Sequence, residues 1–442
     1  MSLKFGTDGV RGPADELTDE LVAALGVAAA EVLGGVTGFV IGRDTRASGP
    51  RIEAALAGGL AAGGARPETL GVLPTPAVAW VCAACGVPGA VISASHNPWH
   101  DNGIKFFAAG GRKLPDDVEE RLEAALEARL AAGDPPPPAD WVAEAPPPGA
   151  ANWVDAVVQS LEGRRLDGLR VVVDCANGAA SSVAPDALRR LGAEVEVLHA
   201  EPDGRNINDG CGSTHPGDLA AAVVARGAAV GLAFDGDADR VLAVDETGAL
   251  VDGDHLLALF AVDLRSRGRL AGDRVVVTVM TNLGFRLAMA EQGIEVVETA
   301  VGDRYVLEAL DRTGGSLGGE QSGHIVLADL ATTGDGLLSG VQLLDLVVRS
   351  GRPLSELAAG AMTQLPQVLV NVRVAERRAD IAEAMAEEIA AEEARLGERG
   401  RVLIRPSGTE PLVRVMVEAE SQETAREVAD RLADVARHLC GG

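Results

Sequence analysis

Three carboxylates alternate along the segment 234–240, where Asp235, Asp237 and Asp239 directly follow an apolar run. Like charges this close repel strongly unless a cation neutralises them. The set contains only oxygen ligands, which favours Mg²⁺ or Ca²⁺ over zinc. An EF-hand fits less well, because Arg240 stands where that loop requires glycine. A solvated acidic turn is the simpler alternative, but the hydrophobic run in front favours a catalytic divalent-cation site.

A second loop carries a candidate nucleophile. The apolar run that ends at Ile92 gives way to small polar residues, and Pro98 blocks continuation of a strand or helix. Ser95 and His96 are therefore predicted on a loop at the carboxyl end of a strand, where α/β proteins commonly place ligand-binding residues. Taken alone, an Asn-Pro turn whose serine satisfies its own backbone is the simpler alternative.

Two further loops suit the parts of a sugar phosphate. Glu320 and Ser322 alternate on a glycine-rich loop and could bind vicinal hydroxyls, whereas His324 could equally be a satisfied core histidine. Arg405, followed by the segment 407–409, offers a guanidinium, two hydroxyls and backbone amides to a phosphate. A Pro/Gly hairpin with an exposed arginine is the alternative there. The four loops together predict phosphoryl transfer, in which positioning and charge neutralisation provide most of the catalysis.

The elements that must position these loops repeat three times along the chain. In each repeat a β-branched run ends at a small polar loop and a helix follows, which is the βα unit of a sheet buried on both faces. The predicted helices are Arg51 to Gly63, Val183 to Leu191 and Phe285 to Gln292. The pattern predicts three related mixed α/β domains, and the combined loops predict a central cleft.

The domain boundaries are marked by changes in pattern. Proline clusters at 135–138 and 146–148 close the first domain. After residue 365 the pattern becomes a strand (367–374), a charged helix (378–396), two short strands around 405–411 and a helix (422–439), which indicates a small C-terminal α+β domain placed to act as a lid. The predicted domains are 1–150 with the serine, 151–252 with the metal site, 253–365 for the sugar and 366–442 for the phosphate.

Composition limits the partners and the compartment. The net charge of −26 and the pI near 4.6 argue against nucleic acid or an anionic membrane as partner. The five cysteines, an odd number in a long chain, predict reduced thiols and a cytoplasmic location. Cys82 and Cys85 are interpreted as part of a buried helix rather than a redox or zinc motif. No signal peptide is apparent, and the longest apolar run, 219–234, is interpreted as a helix followed by a buried strand.

The opening motif 5–12 (Phe-Gly-Thr-Asp-Gly-Val-Arg-Gly), the three loops of Ser95, Asp235 and Glu320, and the Arg405 loop resemble in order and spacing the α-D-phosphohexomutase family. The resemblance spans the whole chain. Within the family the chain looks most like bacterial members that act on glucosamine phosphates, because of its opening motif, Gln321 and the sequence 407–410. Ser93, Trp99-His100 and Ala238 depart from residues common in relatives, but no functional group is lost.

The resemblance implies that Ser95 is a phosphoserine in the resting enzyme and, with Asp235, Asp237 and Asp239, surrounds Mg²⁺. The resemblance also implies that Arg11 and Arg240 balance the negative charge of the phosphoryl group. Lys105 resembles the family's general acid/base, for which Arg11 and burial would have to lower its pKa. His96 would support the phosphate rather than form a dyad with Ser95, since adjacent residues seldom point at each other.

The same resemblance implies a substrate and its contacts. Glucosamine 6-phosphate and glucosamine 1-phosphate would interconvert through a 1,6-bisphosphate, with glucosamine 1,6-bisphosphate or another hexose 1,6-bisphosphate as activator, in the amino sugar metabolism that feeds UDP-N-acetylglucosamine and cell-wall synthesis. The implied substrate contacts are Glu320 and Ser322 for hydroxyls, Gly302 and Asp303 for sugar orientation, and Arg405, Ser407, Gly408 and Thr409 for the non-reacting phosphate.

Three alternatives remain open at this point. The first is a relative that acts on glucose or mannose phosphates, a phosphoglucomutase or phosphomannomutase. The second is a Mg²⁺-dependent sugar phosphatase in which Asp235, not Ser95, is the nucleophile. The third is a non-catalytic sugar-phosphate sensor. A homodimer is compatible with the resemblance, but the sequence fixes neither the oligomeric state nor the motion of the fourth domain.

Overall fold

The computed structural model describes residues 9–33, 38–133, 149–374, 378, 380–406 and 412–440. Three predicted features lie outside these residues: the start of the opening motif (5–8), the proline clusters and the segment 407–411. The chain divides into two compact units, one formed by Met1–Val279 and Glu295–Ala359 and the other by Met280–Ile294 and Gly360–Gly442. The division into four domains stays a prediction.

The first sheet of unit one is mixed. Strands β3, β2 and β4 run parallel, and β5 and β1 complete the sheet antiparallel, in the order β3-β2-β4-β5-β1. Its elements are β1 (Val10–Pro13), α1 (Asp19–Val32), β2 (Phe39–Arg43), α2 (Gly49–Ala62), β3 (Pro67–Val72), α3 (Thr75–Cys85), β4 (Gly89–Ile92), β5 (Asp101–Phe107) and α4 (Asp116–Ala132).

The second sheet repeats this plan with the order β7-β6-β8-β9-β10, in which β7, β6 and β8 are parallel. Its elements are α5 (Gly149–Gln159), β6 (Arg170–Asp174), α6 (Ala180–Arg190), β7 (Glu194–Leu198), α7 (Gly217–Arg226), β8 (Val230–Phe234), β9 (Val241–Asp245) and β10 (Leu250–Val251). The run 219–234 is thus a helix followed by a buried strand, as predicted.

The third sheet has the order β12-β11-β13-β14, with β14 antiparallel. The elements of this stretch are α8 (Gly253–Ser266), β11 (Arg274–Thr278), α9 (Leu283–Glu291, part of unit two), β12 (Glu295–Thr299), α10 (Asp303–Thr313), β13 (Leu317–Gly319), β14 (Ile325–Leu327), α11 (Gly336–Ser350) and α12 (Leu354–Ala361).

The three sheets share one order of four strands, which confirms the predicted repeat of mixed α/β architecture. In each sheet the last parallel strand (β4, β8 or β13) leads through a polar loop into the antiparallel strand beside it. The parallel strands are apolar on both faces, as in the fully buried Val171, Val172 and Val173 of β6. The shared order therefore places the Ser95, Asp235 and Glu320 loops at equivalent positions.

Unit two contains an antiparallel sheet of order β15-β17-β16, as predicted for a small α+β domain. Its further elements are β15 (Gln367–Arg373), α13 (Ile381–Ala384), α14 (Ala386–Leu396), β16 (Arg401–Pro406), β17 (Leu412–Glu418) and α15 (Gln422–Leu439). The predicted single helix 378–396 is wrong, because the chain leaves helical geometry at Met385. In a continuous helix, residues spaced four apart are rotated by about 40° relative to one another around the helix axis. The break at buried Met385 removes this rotation, so Ile381 and Ile389 can pack against the same core.

Three predicted helices begin earlier than expected. Helices α2, α6 and α9 start two or three residues before the predicted positions, because small residues and the side-chain cap at Asn282 form their first turns. The prediction for the two cysteines of α3 is half right, since Cys82 is buried and Cys85 is exposed; all five cysteines are free thiols. None of the helices in the described ranges has the length and apolarity needed to cross a bilayer.

Candidate active site

The loops after β4 and β8 meet at Ser95. Its hydroxyl donates a hydrogen bond of 2.5 Å to Oδ2 of Asp235, and both residues are buried. Ser95 has a φ of 50°, a conformation that few residues other than glycine adopt. The hydroxyl of Ser93 holds this turn by accepting a hydrogen bond of 2.9 Å from the Ser95 amide. Backbone strain of this kind is often found at functional loops.

Two residues that sequence reasoning missed fix the carbonyls of the Ser95 loop. Nη2 of Arg46 donates to the carbonyl oxygens of Ser95 at 3.1 Å and Asn97 at 2.5 Å. Nδ2 of Asn208 donates to the same two oxygens at 2.9 and 3.0 Å. Arg46 follows β2 in a loop whose position after a parallel strand could have suggested a role, whereas nothing in the sequence around Asn208 distinguishes it.

The aspartate centre, defined as Asp235, Asp237 and Asp239, has the properties expected of a cation site. One oxygen from each carboxylate lies within 4.8 Å of the others, and all three residues are buried. Among the described residues, Oδ1 of Asp237 and Oδ1 of Asp239 have no hydrogen-bond partner. Buried carboxylates in this arrangement are costly without a cation, so the residues present fit a hard divalent ion.

The electrostatics within the aspartate centre are uneven. Burial, reinforced by the charges of Asp239 and Asp237, raises the pKa of Asp235 well above its usual range. Burial also opposes ionisation of Asp239, but Lys105, His324 and Arg240 outweigh it and hold the pKa of that carboxyl well below its usual range. Ionisation is therefore disfavoured at Asp235, beside Ser95, and favoured at Asp239, beside Lys105.

Lys105 and Thr75 bind the far side of the aspartate centre. Nζ of Lys105 donates to Oδ2 of Asp237 at 3.2 Å and lies 3.5 Å from Oδ2 of Asp239. Oγ1 of Thr75, the first residue of α3 and missed by sequence reasoning, donates to Oδ2 of Asp237 at 2.6 Å. Lys105 is buried, with two carboxylates beside its ammonium group. The lowered pKa that a general acid/base would need stays a prediction.

His96 lies closer to the serine than predicted. Its Nδ1 is 3.4 Å from Oγ of Ser95, so the expectation that these neighbours would not approach each other is wrong. Nη1 of Arg240 lies 3.0 Å from the same nitrogen, which must accept because arginine only donates. Burial, together with Arg240 and Arg11, lowers the pKa of His96 to about 4. With its lone pair occupied, His96 is unsuited to act as the base of a dyad.

The loop after β13 approaches the same region. Oε1 of Glu320 accepts a hydrogen bond of 3.1 Å from the amide of Gly302, and the Ser322 hydroxyl lies 3.5 Å from Oε2 of Glu320. Burial disfavours the charge of Arg240, but Asp239, Asp235 and Glu320 outweigh it and raise the pKa of the guanidinium. Glu320 is thus electrostatically coupled to the aspartate centre.

His324 connects the aspartate centre to the start of α10. Its Nδ1 lies 3.7 Å from Oδ2 of Asp239, and its Nε2 lies 3.6 Å from Oδ2 of Asp303, which is also paired with Lys113. Burial opposes protonation, but Asp239 and Asp303 outweigh it and raise the pKa of His324. His324 is therefore both a buried core histidine and a residue that contacts the aspartate centre, so the two interpretations from the sequence do not exclude each other.

In unit two, Arg405 of β16 lies opposite Arg414 of β17 in the sheet. Burial, and then the charge of Arg414, lower the pKa of Arg405. Sequence reasoning missed Arg414, because the register that pairs two antiparallel strands does not follow from spacing alone. Ser407, Gly408 and Thr409 lie outside the described residues.

Sequence models of the phosphoglucomutase/phosphomannomutase family match four consecutive stretches of the chain. The alpha/beta/alpha domains I, II and III match residues 2–132, 151–248 and 252–365, and the C-terminal domain matches residues 369–435.

Two full-length relatives are phosphoglucosamine mutases. The chain is 53% identical over 447 residues to the phosphoglucosamine mutase of Salinispora tropica, with 99% of each protein covered. It is 55% identical over 443 residues to the phosphoglucosamine mutase of Saccharopolyspora erythraea, with 98% of this chain and 99% of that protein covered.

Solved structures show the same fold. A phosphoglucomutase/phosphomannomutase family protein from Burkholderia thailandensis has a TM-score of 0.78 and 26% identity, covering 98% of this chain and 97% of its own. The N-acetylphosphoglucosamine mutase of Aspergillus fumigatus, solved with GlcNAc-6P and magnesium, has a TM-score of 0.67 and 20% identity, covering 100% and 96%.

Proposed function

The chain belongs to the phosphoglucomutase/phosphomannomutase family of phosphoryl-transferring isomerases, and from that premise we propose that it interconverts glucosamine 6-phosphate and glucosamine 1-phosphate. The observation that carries the chemistry is the 2.5 Å contact between the Ser95 hydroxyl and Asp235 within the buried aspartate centre. The choice of sugar is supported by the shared name of the full-length relatives.

Phosphorylation of Ser95 would change its contact with Asp235. A hydroxyl that donates to a carboxylate becomes, once phosphorylated, a group of about −1.5 to −2 charge beside that carboxylate. Asp235, Asp237 and Asp239 would then hold Mg²⁺ together with a phosphoryl oxygen of Ser95. When bound, the cation supplies charge neutralisation to the transferring phosphoryl group.

The residues around Ser95 suit a phosphoryl shuttle. In the first transfer the phosphoryl group would pass from Oγ of Ser95 to the free O1 of glucosamine 6-phosphate, while O1 loses a proton and Oγ gains one. The resulting 1,6-bisphosphate would then reorient within the site, so that its 6-phosphate faces Ser95. Its 6-phosphoryl group would pass to Oγ of Ser95, while Oγ loses a proton and O6 of the sugar gains one. Lys105 is our candidate for moving these protons, while Arg240 and Arg11 balance charge.

The substrate-binding roles rest on two groups of residues. The carboxylate of Glu320 and the hydroxyl of Ser322 would accept and donate hydrogen bonds to the sugar, with Gly302 and Asp303 shaping the adjacent loop. Arg405 would bind the non-reacting phosphate together with Ser407, Gly408 and Thr409. The proximity of Arg414 supports this role, because an anion relieves the repulsion between two neighbouring guanidinium groups.

The test compares glucosamine, glucose and mannose 1-phosphates in a coupled assay with Mg²⁺ and trace hexose 1,6-bisphosphate. The proposal expects glucosamine 1-phosphate to give the highest kcat/KM, with phosphate found on Ser95 by peptide mass spectrometry. No turnover of glucosamine 1-phosphate by protein with intact phosphoserine would overturn the choice of sugar. Phosphate on Asp235 instead of Ser95, with release of inorganic phosphate, would indicate the phosphatase.

The five free thiols support the cytoplasmic location that we propose, because they need a reducing compartment to persist. A homodimer stays a prediction, to be checked by analytical ultracentrifugation.

A further inference from the structure

A second group of potential metal ligands lies on the same sheet as the aspartate centre. Asp174 ends β6, His199 directly follows β7, and Cys211 precedes the helical turn Gly212–Thr214. One ligand atom from each lies within 4.8 Å of the others, and Asp174 and Cys211 are buried. We name these three residues the mixed cluster, because they offer oxygen, nitrogen and sulfur.

The histidine of the mixed cluster is placed as a metal ligand would be. Its Nδ1 lies 3.0 Å from Oδ2 of Asp174, yet this buried nitrogen makes no hydrogen bond with the described residues, because the two atoms are not aligned for one. Its Nε2 lies 3.5 Å from Oδ2 of Asp218. Metal-binding imidazoles commonly pair their second nitrogen with a carboxylate in this way.

Asp174 is oriented by the backbone. Its Oδ1 accepts a hydrogen bond of 2.9 Å from the amide of Ala176, and its Oδ2 accepts one of 2.9 Å from the amide of Gly212. These bonds fix the carboxylate between the loops that follow β6 and precede α7. A ligand that is already oriented loses less freedom when it binds an ion.

Cys211 lies in a negative environment. Burial, and then the charges of Asp174, Asp209 and Asp218, raise the pKa of the Cys211 thiol to about 12. The same carboxylates attract a divalent ion, and its binding would release the thiol proton to solvent as the sulfur–metal bond forms.

We propose that Asp174, His199 and Cys211 bind a divalent cation of the zinc class, with solvent as the fourth ligand. Sulfur and imidazole select zinc-like ions, whereas the all-oxygen aspartate centre suits Mg²⁺. Tetrahedral zinc bonds place ligand atoms about 3.5 Å apart, which is compatible with ligand atoms that lie within 4.8 Å of one another and needs only small side-chain movements. The side chain of His199 is 27% exposed and gives the ion a route from solvent.

The bound ion would stabilise the support of Ser95. The backbone amide of Asn208 donates a hydrogen bond of 2.9 Å to the carbonyl oxygen of Ala176. The side-chain amide of Asn208 donates hydrogen bonds to the carbonyl oxygens of Ser95 and Asn97. An ion between Asp174 and Cys211 would fix the two segments that position Asn208. Its role is structural, because none of its ligands contacts Ser95 or the aspartate centre.

The experiment is a Co²⁺ titration of the full-length, chelator-treated protein. The proposal expects a sulfur-to-cobalt charge-transfer absorption that saturates at one ion per chain and is displaced by Zn²⁺ but not by millimolar Mg²⁺. The aspartate centre contains no sulfur and cannot produce this absorption. Cys211→Ser should abolish it, and the control Cys85→Ser, at an exposed cysteine of α3, should retain it.

His199→Gln tests the site without removing the sulfur. Because His199 is partly exposed, the variant should fold, and the apparent affinity for Co²⁺ should fall by at least about tenfold. The proposal is overturned if the native protein shows no absorption, if the absorption survives Cys211→Ser, or if His199→Gln binds Co²⁺ as tightly as the native chain. If Cys211→Ser fails to fold, the His199→Gln result decides.

Discussion

The aspartate centre and the mixed cluster lie beyond the carboxyl ends of neighbouring strands, β8 and β6, of one sheet, yet they offer different donors. The aspartate centre places three buried carboxylates on the single loop after β8, an arrangement that is costly without a cation, and Asp235 contacts the serine directly. The mixed cluster has a single carboxylate, already satisfied by two backbone amides, and is linked to the Ser95 loop through Asn208. The carboxyl ends of the strands can therefore accommodate more than one kind of site. The type and charge of the donor atoms decide which ion each site suits and whether that site takes part in catalysis.

The largest effect expected is from Ser95→Ala, which removes the hydroxyl that we propose as the phosphoryl carrier. We expect turnover of glucosamine 1-phosphate to fall by at least about 10³-fold, as when other covalent nucleophiles are removed. The coupled assay measures the loss, and the cobalt absorption of the mixed cluster should remain unchanged. Substantial residual mutase activity would mean that Ser95 is not the phosphoryl carrier.

The second largest effect is expected from Asp237→Asn, which alters the aspartate centre and leaves the mixed cluster unchanged. Loss of one charge from the aspartate centre should lower kcat by about 10²- to 10³-fold, because this carboxylate also binds Lys105 and Thr75. Raising the Mg²⁺ concentration should recover part of the activity. A variant with native kcat and native Mg²⁺ dependence would show that Asp237 takes no part in holding the cation.

Asn208→Ala tests the link between the clusters. Losing two hydrogen bonds to the Ser95 loop should lower kcat by about 10- to 100-fold through misplacement of the serine, while KM changes little. Steady-state kinetics separate these constants, and Asn371→Ala, at an exposed position of β15, is the control. An effect confined to KM would place Asn208 in sugar binding rather than in positioning.

The smallest expected effect is the pH dependence of the stabilisation that Mg²⁺ gives to the fold. The folded-state pKa of Asp235 lies above its ordinary value of 3.8, so its protonation stabilises the fold below that value, and this stabilisation is lost as the pH rises through the folded pKa. Mg²⁺ should therefore raise Tm by a few degrees more at pH 8 than at pH 5.

Differential scanning fluorimetry of the protein with and without Mg²⁺ measures this difference. Asp235→Asn should flatten the pH dependence of the Mg²⁺ effect, since the titrating group is gone. A Mg²⁺-induced Tm shift that is equal at both pH values in the native chain would contradict competition between a proton and Mg²⁺ at Asp235 over this pH range.

The sequence predicts those parts of the molecule that depend on local pattern. Alternating aspartates after an apolar run identify Asp235, Asp237 and Asp239, and a proline that ends a polar turn identifies the Ser95 loop. Long-range contacts leave no such trace: Thr75, Asn208 and Arg414 reach their partners through topology and strand register. The break at Met385 was missed for a related reason, because a strong helical pattern conceals where the packing of two short helices requires a change of direction.

The three sheets of unit one share a strand order, and each places a different polar loop after its last parallel strand. In engineering terms the unit is modular: one scaffold is used three times, and a single short loop is where we propose a nucleophile carrier in the first sheet, an ion holder in the second and a sugar binder in the third. Exchange of the loop after β13 would act on the aspartate centre as well, because Glu320 contributes to the field that favours the charge of Arg240.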